Sequence, residues 1–152
     1  MDAFVWVYSW QQQCCGEDFR VDSSVRWQVK TSDGADEWIE LLLGPEWATA
    51  VRFVEDHHLD EADGVITGTV SEISVVVCER VLGEAPKPGP SGKVMVPVPG
   101  SGRLRRVETA DQWEPTDAGW SFDGWIVKLD AAHYEPGIES AVEDGRGAQT
   151  SS

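Results

Sequence analysis

Hydrophobic and polar positions alternate along most of this chain. Residues 3 to 10 (AFVWVYSW) are aromatic and β-branched and predict a first strand. After a loop at 11 to 23, Val25, Trp27 and Val29 repeat at every second position, which predicts a half-buried strand over about 24 to 30. The period then changes. Asp33 and Gly34 punctuate, and residues 35 to 43 (ADEWIELLL) are helix formers with acids in the first turn. Gly44-Pro45 stops that helix and opens another, since Pro is tolerated in a first turn. Trp47, Val51 and Val54, with Ala50 and Phe53 beside them, keep helical spacing up to His57. Residues 35 to 59 are therefore expected as two short helices.

Beyond the acidic turn at 60 to 64, residues 65 to 82 (VITGTVSEISVVVCERVL) predict a long strand or hairpin, with a bend or bulge at Gly68. Residues 83 to 102 hold five of the eight prolines and five glycines, so they are expected as a flexible loop around the apolar run KVMVPVP. Alternation returns at 103 to 109 (RLRRVET) and, after a Trp-bearing loop, at 124 to 130 (GWIVKLD). Residues 136 to 152 have few apolar side chains and read as a disordered tail. Five or six strands around a short helical insertion predict an α+β, mostly β fold: a small twisted antiparallel barrel, OB-like or SH3-like, forming one domain over residues 1–135.

Composition agrees with one domain. A chain of 152 residues buries enough surface for a single core, and eight Trp, four Phe and two Tyr are too much ring surface to leave in water. The net charge is −15, which disfavours nucleic acid and favours a protein partner with a basic surface. That charge is uneven: residues 1–85 carry 5 basic against 17 acidic side chains, residues 86–152 carry 7 against 10. No basic leader and no long uncharged apolar run is visible, so no membrane span is expected and the cytoplasm is the expected compartment. Three cysteines, two of them adjacent, make a poor disulfide framework and fit reduced thiols.

The least ordinary segment is Trp10 to Phe19 (WQQQCCGEDF). Together with TGTV at 67 to 70 and GWIVKLD at 124 to 130, it resembles a family of small uncharacterised actinobacterial proteins with a WQxQCCGExF-like motif, over most of residues 4 to 130. Asp18 stands where that family commonly has Pro. The resemblance implies a fold and no activity.

Adjacent cysteines on an extended chain point apart, so Cys14 and Cys15 do not both reach one metal centre easily. A zinc site from Cys14 or Cys15, Cys78 and His57 or His58 is one alternative function, and thiol redox chemistry another. The bland reading has a cysteine packed as a small hydrophobe and a histidine ending a helix. Catalytic and nucleotide motifs fail on inspection. A phosphate loop at Gly89 to Lys93 would need Gly at 87 and Ser or Thr at 94, where Lys87 and Val94 stand, and the carboxylates at 55, 56, 60, 61 and 63 read as a solvated face.

Two clusters remain. Arg103, Arg105 and Arg106 form a basic strand suited to an acidic group, with surface ion pairs as the plain alternative. Trp6, Trp10, Trp27 and Trp125 fall on strand-like segments and read as core, whereas Trp113 and Trp120 lie in an acidic, Gly-bearing loop that suits an interface anchor. The expected function is a non-catalytic binding module acting through Trp10, Gln13, Cys14, Cys15 and Glu17 of the CCG segment, the loop tryptophans and the three arginines. An enzyme of unknown class is a further alternative.

Overall fold

The computed structural model describes residues 1–9, 18–31, 35–56, 63–84, 93–110 and 114–137. Nine strands, β1 (Ala3–Tyr8), β2 (Phe19–Arg20), β3 (Ser24–Lys30), β4 (Val51–Glu55), β5 (Gly64–Glu84), β6 (Lys93–Pro97), β7 (Arg103–Val107), β8 (Thr109–Ala110) and β9 (Trp120–Pro136), join two helices, α1 (Ala35–Leu43) and α2 (Pro45–Ala50), among the described residues. The fold is mostly β.

Hydrogen-bonded pairs run β3-β4-β1-β9-β5 and return from β5 to β3, a closed circuit of five strands. Four of its steps are antiparallel. The step between β1 and β4 is parallel, which corrects the expectation of an antiparallel sheet throughout. Parallel neighbours need a long crossover, and β3 with the two helices supplies one.

β5 organises the molecule. Its start pairs with β3, its middle with β7 (Ile73↔Val107 to Val77↔Arg103) and its end with β6 (Arg80↔Pro97 to Glu84↔Lys93). β9 follows its other edge from Gly64↔Pro136 to Glu79↔Trp120, with register shifts at Thr67/Thr69, Val70/Glu72 and Val76/Val77. Gly68 sits in the first of these, where the sequence predicts a bulge. Such irregularities let a 21-residue strand bend and change neighbours.

The Val75-Val76 pair is fully buried although adjacent strand residues point to opposite faces. Both faces of the sheet are therefore covered. Inside the circuit lies the main core, including Val5, Val7, Phe53, Ile73, Val75, Phe122, Trp125, Val127 and Leu129. On the outer side, Trp6, Val54, Val76 and Ile126 pack against Ile39, Trp38 and Trp47 of the helices. Trp6 and Trp125 are core as the sequence predicts, Trp27 is partly buried, and Trp10 lies outside the described residues.

Three further expectations need correction. The second helix stops at Ala50, and Val51–Glu55 is a strand. Its β-branched and aromatic residues have both periods available, and pairing with β1 and β3 selects the extended one. The helical insertion thus ends at 50 rather than 59. Glu55 and Asp56 are buried, not part of a solvated face, because β4 carries them against the end of β3. Residues 93–97 of the expected loop form β6, and Trp120 opens β9 instead of lying in a loop.

The β3 to β5 connection is clamped by Asp63, whose Oδ2 accepts the Thr31 backbone N–H (2.7 Å) and hydroxyl (3.0 Å). These bonds hold the carboxyl below its ordinary value of 3.8. A depressed folded-state pKa stabilises the fold above the unfolded-state value, and that contribution disappears as pH falls through the folded one. Asp63→Ala should therefore lower stability by no more than about 1 kcal/mol at neutral pH, since the group is exposed. Urea unfolding of the two proteins should give a constant difference above about pH 5 that shrinks below about pH 4. A difference that grows on acidification would contradict the clamp.

Candidate functional site

The basic strand is β7, and its pairing with β5 sorts the arginines. Arg103, Arg105 and Val107 oppose Val77, Val75 and Ile73, whereas Leu104 and Arg106 oppose Val76 and Ser74. Side chains alternate between faces, so the expected triad is split. Arg105 donates to Glu114 Oε1 at 2.8 Å, and Arg103 lies over the Trp120 ring, 5.7 Å from its centroid. Arg106 meets Glu72 at 3.4 Å on the opposite face. Glu114 and Trp120 thus each take one arginine of that face, both of which remain exposed, and Trp120 is half-buried with an arginine across it. Trp10, Gln13, Cys14, Cys15, Glu17, His57 and Trp113 lie outside the described residues.

The other face of β7 borders a cleft. Phe4 of β1, Ile126 and Lys128 of β9, Glu72 and Ser74 of β5, Leu104 and Arg106 of β7, and Trp47 of α2 line one hollow. Trp47 and Leu104 also line a second hollow, walled by the end of α1, Gly100, Gly102 and Arg103. Sheet register explains the first: Phe4↔Lys128 and Lys128↔Glu72 form one cross-strand row, and Trp6↔Ile126, Ile126↔Ser74 and Ser74↔Arg106 the next. Phe4 meets the Trp47 ring edge-on at 5.5 Å between centroids. Leu104 and Leu41, at 37% and 39% exposed, bring aliphatic surface to the opening.

The second wall has a specific cause. α1 ends with unpaired carbonyls, as helices do. The Gly100 N–H donates to the Leu41 carbonyl at 2.8 Å and the Gly102 N–H to that of Leu42 at 3.0 Å. A Cβ at Gly102 would lie 2.6 Å from Leu43 Cδ2, so the turn before β7 fits against the helix only as glycine. The cleft residues Phe4, Trp47 and Leu104 are absent from the expected site. Leu104 carried a signal: it is the one apolar residue among three arginines.

A family model matches residues 1–131, a span that takes in every residue lining the cleft. The chain belongs to the DUF6578 family, a family of unknown function. No curated protein and no solved structure matches it.

In this DUF6578 chain Cys78 is fully buried on β5, its Sγ 3.6 Å from Ser121 Oγ. Burial first, and the neighbouring Asp123 carboxylate second, push the thiol up to about 11, so it stays protonated at neutral pH. Arg80 completes the cluster: its Nε–H donates to Ser121 Oγ (2.7 Å) and its Nη2 to Asp123 Oδ1 (3.1 Å). The guanidinium also lies 5.6 Å from the centroid of the Trp38 ring on α1. This network joins α1 to the sheet. Among the described residues no group of three His, Cys, Asp or Glu side chains is arranged to hold a metal ion. None of the described helices is long and apolar enough to cross a membrane.

Proposed function

We propose that the chain is a non-catalytic protein-interaction module whose contact surface is the cleft between α1–α2 and β7–β9. The carrying observation is its composition: an apolar floor of Phe4, Trp47, Leu104 and Ile126 inside a charged rim of Arg103, Arg106, Lys128 and Glu72. An aromatic centre within a polar rim is the anatomy of a protein interface, where a few rings and arginines supply most of the binding energy. Two rim cations already have acidic neighbours, Arg106 with Glu72 and Lys128 with Asp2, so the cleft offers no concentrated positive charge. The net charge of −15 favours a partner with a basic surface for the chain as a whole.

The order of the strands supports this reading. Counted from β5, the circuit is a meander β5-β9-β1, then β3 returning to β5, then β4 joining β3 to β1. We read this as an OB-type barrel with its chain start moved to another strand. In OB barrels ligands are taken by the loop between the first two strands and that between the last two. Their counterparts here are the β5–β9 and β3–β4 connections, and Gly100 to Leu104 of the first meet α1 and α2 of the second at the cleft.

The test is a partner captured from the native cell, identified, purified and titrated. Leu104→Glu and Arg106→Gln, both at exposed positions, should each weaken its binding by roughly tenfold or more with little change in the unfolding midpoint. Unchanged affinity in both variants overturns the proposal.

A further inference from the structure

The two walls of the cleft differ in charge. Residues 35–50, which hold both helices, carry four acidic side chains and no basic one. On α1 the buried positions are Ile39 and Leu42, with Trp38 packed partly buried beside them, which leaves Glu37, Glu40 and Leu41 on the exposed face. Residues three and four apart are neighbours on a helix surface, so these form one stripe. Glu46 follows in the first turn of α2, its carboxylate beside Gly44. Glu40, Leu41 and Gly44 line the second hollow together with Leu43, Trp47 and Leu104. An apolar recess therefore opens directly beside the acidic stripe.

The cations around the cleft are already engaged. Arg106 meets Glu72, Lys128 meets Asp2, and Arg103 donates to the Ser101 and Gly102 carbonyls (both 3.1 Å) and lies over Trp120. Arg80, whose guanidinium reaches Trp38, is held by Asp123. Glu37, Glu40 and Glu46 have no ion pair and no side-chain hydrogen bond among the described residues. Two of these acids have a local reason for their place, since Glu37 and Glu46 lie in first turns, where the helix macrodipole favours an anion. Glu40 has none. It lies in the last turn of α1, which carries no basic residue, so the dipole opposes its charge and Glu37 repels it from three residues away. The helix alone would be better served by a lysine at this position.

We infer that the helix wall of the cleft takes a basic amphipathic segment of a partner protein. An apolar side chain of that segment enters the hollow between Leu41, Trp47 and Leu104, and lysine or arginine residues beside it meet Glu37, Glu40 and Glu46. The inference rests on the cleft being the contact surface and adds which partner that surface selects. Uncommitted charge decides the sign: an acidic partner would have to draw Arg103, Arg106 and Lys128 from their present neighbours, whereas the three carboxylates have none to lose. The apolar anchor supplies most of the affinity, and the carboxylates set orientation and reject acidic competitors.

A short blocked peptide of Lys and Leu at helical amphipathic spacing is the probe, titrated by calorimetry into the full chain beside Glu/Leu and Lys/Ser counterparts. The Lys/Leu peptide should bind and the Glu/Leu peptide should not, and the Lys/Ser peptide, which lacks an anchor, should bind roughly tenfold more weakly or less. Glu40→Lys should weaken binding of the Lys/Leu peptide by roughly tenfold while leaving the urea midpoint unchanged or slightly raised, because the new charge suits the helix end. Glu108→Lys makes the same change of net charge at an exposed position that lines neither hollow, and should weaken binding by about twofold at most. No binding of the Lys/Leu peptide, no effect of Glu40→Lys, equal effects at Glu40 and Glu108, preference for the Glu/Leu peptide, or an acidic protein or a second copy of this chain as the captured partner each overturns the inference. The captured partner also separates the two readings: if Leu104→Glu releases it and Glu40→Lys does not, this inference alone falls, and if neither does, the cleft reading falls with it.

Discussion

Gly124→Ala is expected to lower the unfolding free energy by about 3 kcal/mol or more, and to leave little folded protein at elevated temperature. β9 pairs with β1 at this point, with Tyr8 opposite Gly124, and the Trp6 indole lies close beside the glycine. A Cβ there would press on the Val7 carbonyl oxygen and stand 3.0 Å from Trp6 Cζ2. Neither neighbour can yield. The first is backbone in a paired strand, and the second is a fully buried ring held beneath the helices. Gly100→Ala is the control. Its φ of 77° favours glycine, unlike the backbone at Gly124, but no atom lies within 4 Å of a Cβ there, so only the left-handed backbone conformation is penalised, by about 1–2 kcal/mol. Urea unfolding of the two variants should rank Gly124→Ala as clearly worse. Equal losses would mean that the close approach of Val7 and Trp6 is relieved by local adjustment.

Arg80→Met is the second large effect. Asp123 is 7% exposed and Arg80 27%, so the carboxylate depends on the guanidinium far more than the reverse. Removing Arg80 leaves a buried charge without its cation, strips a donor from Ser121 and takes the contact from Trp38. A loss of about 3 kcal/mol is expected. Asp123→Asn alone should cost less, about 1–2 kcal/mol, because Arg80 keeps part of its hydration. In the Arg80→Met background the same Asp123→Asn change should raise stability, since it removes the stranded charge. That reversal of sign, read from urea midpoints of the four proteins, is the decisive result. Additive losses would show that the two side chains act independently. The network fastens α1, and with it one wall of the cleft, to the sheet.

Much of the β scaffold was legible from period-two alternation. Ser24–Lys30 and the bend at Gly68 follow from side chains that must face one core, and α1 ends where Gly44-Pro45 denies it another turn. The candidate site was legible only in part. The three arginines are consecutive enough in sequence to look like one patch, yet a strand distributes them over two faces. Cys78 looked like a potential ligand because composition does not show that Asp123 and Arg80 surround it. That proximity comes from the register shift at Val76/Val77 in the β5–β9 ladder, which no local pattern encodes.

Sequence alone determined that this is a mostly β, acidic, Trp-rich domain, and where most strands and the first helix lie, because burial of one face imposes a period on neighbouring residues. Tertiary structure decided whatever depends on which segment lies beside which. Val51–Glu55 satisfies a helical and an extended pattern alike, and parallel hydrogen bonding to β1 makes it a strand. Residues 93–97 have too little local preference to form a strand alone, and the end of β5 supplies the ladder. Long-range pairing contributes more than propensities that differ by tenths of a kcal/mol, so the cleft emerged only with the fold.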